Sequence, residues 1–410
     1  MSLAGPRRLL RDAPAFRRLL LSTAASGAGT WLAVIALTLD VYDRTGSGAW
    51  VSALLIADFL PMIAVGLLLG PLVDRLPRRA LMIASDVLRL AVFVALPFAG
   101  SAEAVVALAA VAGGASALFR PAVYAGLPNL VQESDLPLAN ALFQGAERLT
   151  VMVGPLLGGA LVAAAGSGPA YAVNAATFGV SALLLLGIPA RLLQHGGGRS
   201  QGHWRDLAAG FALLRTSPAV LAVVVVWSVV VFGHGFVNVA EVALAKTVFG
   251  AGDFGFGLLF AGFGLGLAAG SLAAGALLVR HGVRRAYPVA LGLQAVAVAG
   301  AAAVPDVWTA LPLVAVFGAG NGVAVVANSL LVQRGAPDAL RGRAFTLAMS
   351  VNFAALAAGM IAAGPLLDAV GARWCWAVAA VLCGAGALLA TALLPRAERS
   401  LLGPSARAGI

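Results

Sequence analysis

Asp58, Arg120, Glu147, Arg148 and His234 each fall within a long apolar stretch of this chain. An ionisable group in such a setting is costly and marks a functional site by default. Asp58 is the strongest candidate, because its carboxyl can take up and release a proton or pair with a cationic partner. The bland reading makes it a snorkelling or interface-paired acid. Glu147 and Arg148 are adjacent opposite charges, which suits a structural role better. Asp86 and Arg89 stand three apart, the spacing of an ion pair on one helix face, near the start of their stretch. His234 has a suitable range for proton transfer, although a lone histidine more often packs or hydrogen-bonds. Glu241 and Asp368 fall near the ends of stretches, where solvent is expected to reach them. No His-Glu-x-x-His or other metal-ligand cluster occurs. The only Lys-Thr pair, Lys246-Thr247, follows Ala245 and forms no phosphate-binding loop. The sequence therefore predicts no enzyme, cofactor or metal, and an ion gradient as the energy source.

The elements that must hold these groups follow from composition. The chain has 410 residues, 61% hydrophobic and 11% charged, with a mean hydropathy of +0.95. Soluble domains run near 45–50% apolar and about 25% charged, so a soluble enzyme and a disordered chain are excluded. A bilayer core needs about 20 apolar residues per crossing helix. Twelve such stretches are expected, at 16–39, 51–71, 80–99, 104–126, 139–165, 169–189, 219–240, 254–279, 286–304, 308–332, 343–368 and 374–394. The arginines before the first stretch resemble a signal peptide, but the run from Leu19 to Leu39 is too long for one and is expected to be retained. Cys375 and Cys383 lie eight apart in one helix, too far for a disulfide, and are expected to pack.

The formal charge of +10 would suggest nucleic acid in a soluble protein. Here the arginines alternate between segments instead. With the N-terminus inside, 21 of the 27 basic residues fall in cytoplasmic segments, and only Arg44, Lys246 and Arg373 fall outside. Positive charge collects on the cytoplasmic side of membrane proteins, so both termini are expected inside a cell membrane. The longest connection, 191–217, carries Gly196-Gly197-Gly198 and a stretch from Trp204 to Leu214 that suits a surface amphipathic helix. It separates an expected six-helix bundle at 1–190 from another at 218–410.

The halves look like copies. Gly70-Pro-Leu-Val-Asp74-Arg75-Leu-Pro-Arg78-Arg79 has a degenerate counterpart at Gly275–Arg284, and Gly154-Pro155-Leu156-Leu157 recurs at Gly364–Leu367. Halves of six spans in one orientation mean a parallel repeat. Gly70, Asp74, Arg75, Arg78 and Arg79 resemble the signature loop of the major facilitator superfamily, with Pro77 where a glycine is usual. The resemblance implies that Asp74 is a gating latch, capping a neighbouring helix or pairing with arginine; the bland reading has these arginines fixing topology only. Val41–Ser47, Ala117–Ala122 and Pro337–Arg343 are similar to the branch containing the enterobactin exporter and macrolide-efflux proteins. Gly154, Pro155, Gly158 and Gly159 resemble the core of the antiporter signature, and a packing kink at Pro155 would look the same. The arginine usual in the outer part of the fourth helix is missing, and Arg120 is an uncertain substitute.

Polar groups within spans are sparse. Gln144, Asn238, Asn321 and Asn328, with Trp31 and Phe232, are the expected lining of a mostly apolar cavity, which suits an amphipathic molecule better than a sugar. The resemblance implies an all-α membrane protein of twelve helices, working as a monomer in a lipid bilayer. It would export a hydrophobic or amphipathic small molecule in exchange for protons, by alternating access. An importer or facilitator of a metabolite, and a non-transporting sensor or complex subunit, stay open at this point.

Overall fold

A computed structural model describes residues 4–73, 76–193, 217–336 and 340–401. A short α1 (Ala4–Asp12) precedes the long helices α2 (Pro14–Thr45), α3 (Gly48–Val73), α4 (Arg78–Ala95), α5 (Ala102–Gly126), α6 (Leu136–Ala165) and α7 (Ser167–Leu186). After the single turn α8 (Ala190–Leu193) come α9 (Pro218–Ala243), α10 (Gly252–His281), α11 (Val283–Ala303), α12 (Val307–Gly335), α13 (Arg341–Val370) and α14 (Ala372–Leu401). Eleven helices among the described residues are long and apolar enough to cross a bilayer, and the described apolar part of α3, Gly48–Met62, is a shorter twelfth. Lipid offers no partner for a backbone N–H or C=O, so helices that satisfy both internally are the expected answer to this composition.

Several helix ends differ from the sequence expectation. The first span runs on to Thr45 and is closed by Gly46 in the left-handed region at φ 61°, whose N–H reaches the Tyr42 carbonyl. The seventh is extended by a π-helical turn, Leu244–Val248. Other ends match side-chain caps. The Ser217 hydroxyl accepts the Val220 N–H at the start of α9, and Asp306 accepts the N–H groups of Trp308 and Thr309 at the start of α12. These donors hold the exposed Asp306 carboxyl below its usual range. The calls on 194–216, including the glycine run and the surface helix, lie outside the described residues, as do Asp74 and Arg75.

Contacts group the chain into two compact units. The first holds α2, most of α3, α4–α7 and Phe256–Ala261 of α10; the second holds α9, the rest of α10, α11–α14 and Ser47–Ser52. In the first unit α2 packs on α6 and α7, and α4 packs on α5 and α7. In the second, α9 packs on α13 and α14, and α11 packs on α12 and α14. One packing scheme is thus used twice.

Glycines make the correspondence exact to the residue. A Cβ on Gly113 of α5 would collide with the Asp58 carbonyl of α3, and one on Gly318 of α12 would collide with the Phe263 carbonyl of α10. Both partners are displaced by 205 positions. Gly29 lies against Asn174 and Thr177, and Gly233 against Ala379 and Leu382. The turns agree as well: Gly166 (φ 81°) joins α6 to α7, and Gly371 (φ 85°) joins α13 to α14.

Candidate functional site

The first unit contains a small cleft lined by α2, α3, α4, α5 and α7. Its wall is mostly apolar, through residues such as Val34, Leu37, Leu54 and Phe178, with hydroxyls from Thr30, Thr38 and Ser116. Asp58 and Arg89 are its charged members. Asp58 is placed by the close crossing at Gly113, which lets α3 and α5 touch backbone to backbone.

Arg89 is 4% exposed and Asp86 wholly buried. An Arg89 Nη2–H donates to Asp86 Oδ1 at 2.7 Å. Ser181 Oγ donates to Asp86 Oδ2 at 2.5 Å, and Ser26 Oγ reaches Oδ1 at 3.4 Å. Ser22 shares a hydrogen bond of 2.8 Å with Ser181. The guanidinium is also flanked by the rings of Phe178, 4.3 Å from the centroid, and Phe119, at 5.1 Å. Such stacking is worth more when desolvated than at a surface. Asp58 lies within Coulombic reach of this same Arg89. The sequence paired Asp86 with Arg89 correctly by spacing. It expected a peripheral pair, whereas the structure buries it at the core of the bundle beside Asp58.

The other candidates are dispersed. Glu147 turns away from its neighbour Arg148, accepting from Arg120 at 3.1 Å and from the Tyr124 hydroxyl at 2.8 Å, while Arg148 is exposed. Arg78 donates to the carbonyls of Ala125 and Leu193, and Arg79 to those of Leu185 and Leu186. Both therefore satisfy carbonyls at helix C-termini, where cations are favoured. Gly70 opens that motif within α3, which is described as far as Val73. Gly154 and Gly158 face α2 at Trp31 and Leu32, and Pro155 and Gly159 face Gly257. This stretch is a close-packing face on both sides.

None of Trp31, Gln144, Phe232, Asn238, Asn321 and Asn328 lines the cleft. Trp31 is turned onto Phe260 at 5.9 Å between centroids, and Phe232 onto Phe236 at 5.6 Å. Gln144 is exposed, Asn238 half-buried and Asn321 buried. Asn328 lies beside the Tyr287 hydroxyl. Glu241 corrects an expectation: it is only 5% exposed, because the π-turn carries the helix onward past it. Asp368 is exposed, and within the second unit it accepts from Ser47 Oγ at 2.9 Å and the Ala49 N–H at 3.1 Å. Cys375 and Cys383 are buried free thiols.

One cluster escaped the sequence reading. Asp40 accepts from the Tyr171 hydroxyl at 2.9 Å and from Ser167 at 3.1 Å, and pairs with Arg44 at 3.0 Å. The four-residue spacing of Asp40 and Arg44 was the available signal.

The second unit repeats the site's backbone without its charge. By the offsets above, Phe263 stands for Asp58, Gln294 for Arg89 and Leu291 for Asp86. His234 stands for Thr30, Gly386 for Ser181, and Val226 and Val230 for Ser22 and Ser26. His234 meets Gln294 Oε1 at 3.1 Å and is edge-on to Trp227 and Phe317. It is therefore not alone, but bound into a neutral aromatic cluster.

The profile of a family described as transmembrane secretion effectors matches residues 9–408. The multidrug efflux pump Tap of Mycobacterium tuberculosis (strain ATCC 25618 / H37Rv) is 28% identical over 385 residues, covering 87% of this chain and 88% of Tap. The enterobactin exporter EntS of Escherichia coli O127:H6 (strain E2348/69 / EPEC) is 28% identical over 396 residues, covering 94% and 92%. In fold, the chain is similar to a bacterial homologue of the iron transporter ferroportin in its inward-facing state, with a TM-score of 0.73 at 18% identity, over 96% of this chain and 99% of that one.

Proposed function

The chain belongs to the transmembrane secretion effector family of the major facilitator superfamily, and from that premise we propose that it is a proton-coupled exporter of a hydrophobic or amphipathic small molecule. The observation that carries this reading is that a carboxyl and a guanidinium, those of Asp58 and Arg89, line one mostly apolar cleft inside the first bundle. A membrane-embedded acid in such a place marks an ion pathway. The export direction is supported by the names of Tap and EntS. The apolar and aromatic walls suit a substrate with a large apolar body.

In this reading the arginine-rich ends face the cytoplasm, so both termini lie inside. Asp74 and Arg75 form the gating loop, with Arg78 and Arg79 anchoring its far side. The partners are a small-molecule cargo, protons and the bilayer. Everted membrane vesicles, energised by respiration and offered ethidium as an amphipathic aromatic probe alongside tetracycline, test the proposal. Uptake that collapses with a protonophore, and a dye-reported proton release on adding either compound, are the expected results. Uptake unaffected by the proton gradient would contradict coupling. Movement only down the concentration gradient would favour a facilitator.

A further inference from the structure

Three ionisable side chains are grouped inside the first bundle, Asp86 bonded to Arg89 and Asp58 on the same cleft as Arg89, and their charges do not balance. Asp58 and Asp86 supply two carboxyls, and Arg89 supplies one guanidinium. The groups around them are neutral: Thr30 and Ser26 from α2, Ser116 and Phe119 from α5, Ser181 and Phe178 from α7. If both acids were ionised, the buried cluster would carry a net negative charge; if both were protonated, a net positive one. Either state is expensive in a low-dielectric interior. One proton on the two acids makes the cluster neutral.

We propose that Asp58, Arg89 and Asp86 form a triad that holds one exchangeable proton between two carboxyls, with Arg89 selecting the acid that stays ionised. In the arrangement described, Arg89, Ser181 and Ser26 all donate toward Asp86, which makes Asp86 the carboxylate. The proton then sits on Asp58, whose carboxyl opens on the cleft. Movement of the guanidinium toward Asp58 reverses the assignment: the proton on Asp58 passes to Asp86, and Asp58 becomes the carboxylate. The triad keeps one proton throughout, and the exchange occurs where cargo can reach it. The second bundle cannot do this, since Phe263, Gln294 and Leu291 stand at the three positions.

This inference gives the coupling reading its residues, but its test does not depend on any substrate. Infrared spectra of the full-length protein in liposomes at neutral pH, with carboxyl-labelled aspartate, count protonated aspartates by difference. Asp40 and the other acids outside the triad cancel between samples. Asp58→Asn leaves the neutral pair Arg89 and Asp86, so one protonated carboxyl should vanish. Asp86→Asn leaves Arg89 with Asp58 alone, so one should vanish again. Arg89→Gln, which installs the residue of the second bundle, should instead add one, and Arg89→Lys should restore the wild-type count. A side chain with only a packing role would not move the count in opposite directions. Retention of the wild-type signal in both aspartate variants, or no gain in Arg89→Gln, would overturn the triad. Circular dichroism and size-exclusion profiles select the folded samples, and Arg89→Lys serves as the charge-conserving control. The vesicle assay reads coupling separately: a triad proton seen by infrared with gradient-independent uptake would sink the coupling reading and leave the triad standing.

Discussion

The two bundles share a backbone and differ in what it surrounds. At the crossing of α3 with α5, Gly113 presses on the carbonyl of an aspartate; at the crossing of α10 with α12, Gly318 presses on that of a phenylalanine. One helix away, Arg89 is bound to Asp86 in the first bundle, and Gln294 to His234 in the second. Packing constrains backbone approach, so the small residues recur in both halves. Chemistry does not need to be duplicated, so at the matching positions charge occurs in one. At the matching positions the second half is uncharged and packs with aromatic rings.

The largest expected break in this comparison comes from removing one partner at each position. Arg89→Ala leaves the buried Asp86 carboxyl without its cation, and breaking a buried pair in that way costs about 3–5 kcal/mol. Gln294→Ala leaves His234 without its neutral partner, which should cost about 1–3 kcal/mol. Thermal unfolding in one detergent would rank the two, and equal losses would argue against a charged core in one bundle only. Glycine changes come next. Gly113→Val and Gly318→Val each drive a side chain into a backbone carbonyl, and overpacking of that sort costs about 1–3 kcal/mol. Their stabilities should fall together, whereas transport should fall further in Gly113→Val, which displaces Asp58.

Much of this fold was legible in the sequence, because twelve apolar stretches and an alternating arginine pattern are local signals. The spacing of Asp86 and Arg89 also gave their pairing. Their burial was not legible, since it depends on Ser26, 60 residues away, and on Ser181, 95 residues away. The partners of Glu147 were not legible for the same reason: Arg120 and Tyr124 belong to another helix, while the adjacent Arg148 is exposed. The asparagines and aromatics expected around a cavity were chosen by type alone. Trp31 and Phe232 instead satisfy other rings, and orientation on a helix that is apolar all round has no period to read. Local spacing finds pairs within a helix, and tertiary packing decides which of them are buried.

The smallest effect is expected from the connection between the halves. Deleting Gly196 to Gly198, a run whose composition predicts a tether, should change unfolding stability by less than about 0.5 kcal/mol. Transport at the wild-type rate is the matching expectation. A marked loss would mean that the connection itself is part of the machinery.

The most direct test of the claim that coupling resides in the first bundle is proton release from everted vesicles, compared between Asp58→Asn and Gln294→Leu. With ethidium or tetracycline as cargo, Asp58→Asn should remove most of the coupled proton release, because the amide cannot carry the proton. Gln294→Leu should keep at least half of it. Full coupled release in Asp58→Asn, or an equal loss in both variants, would contradict the account.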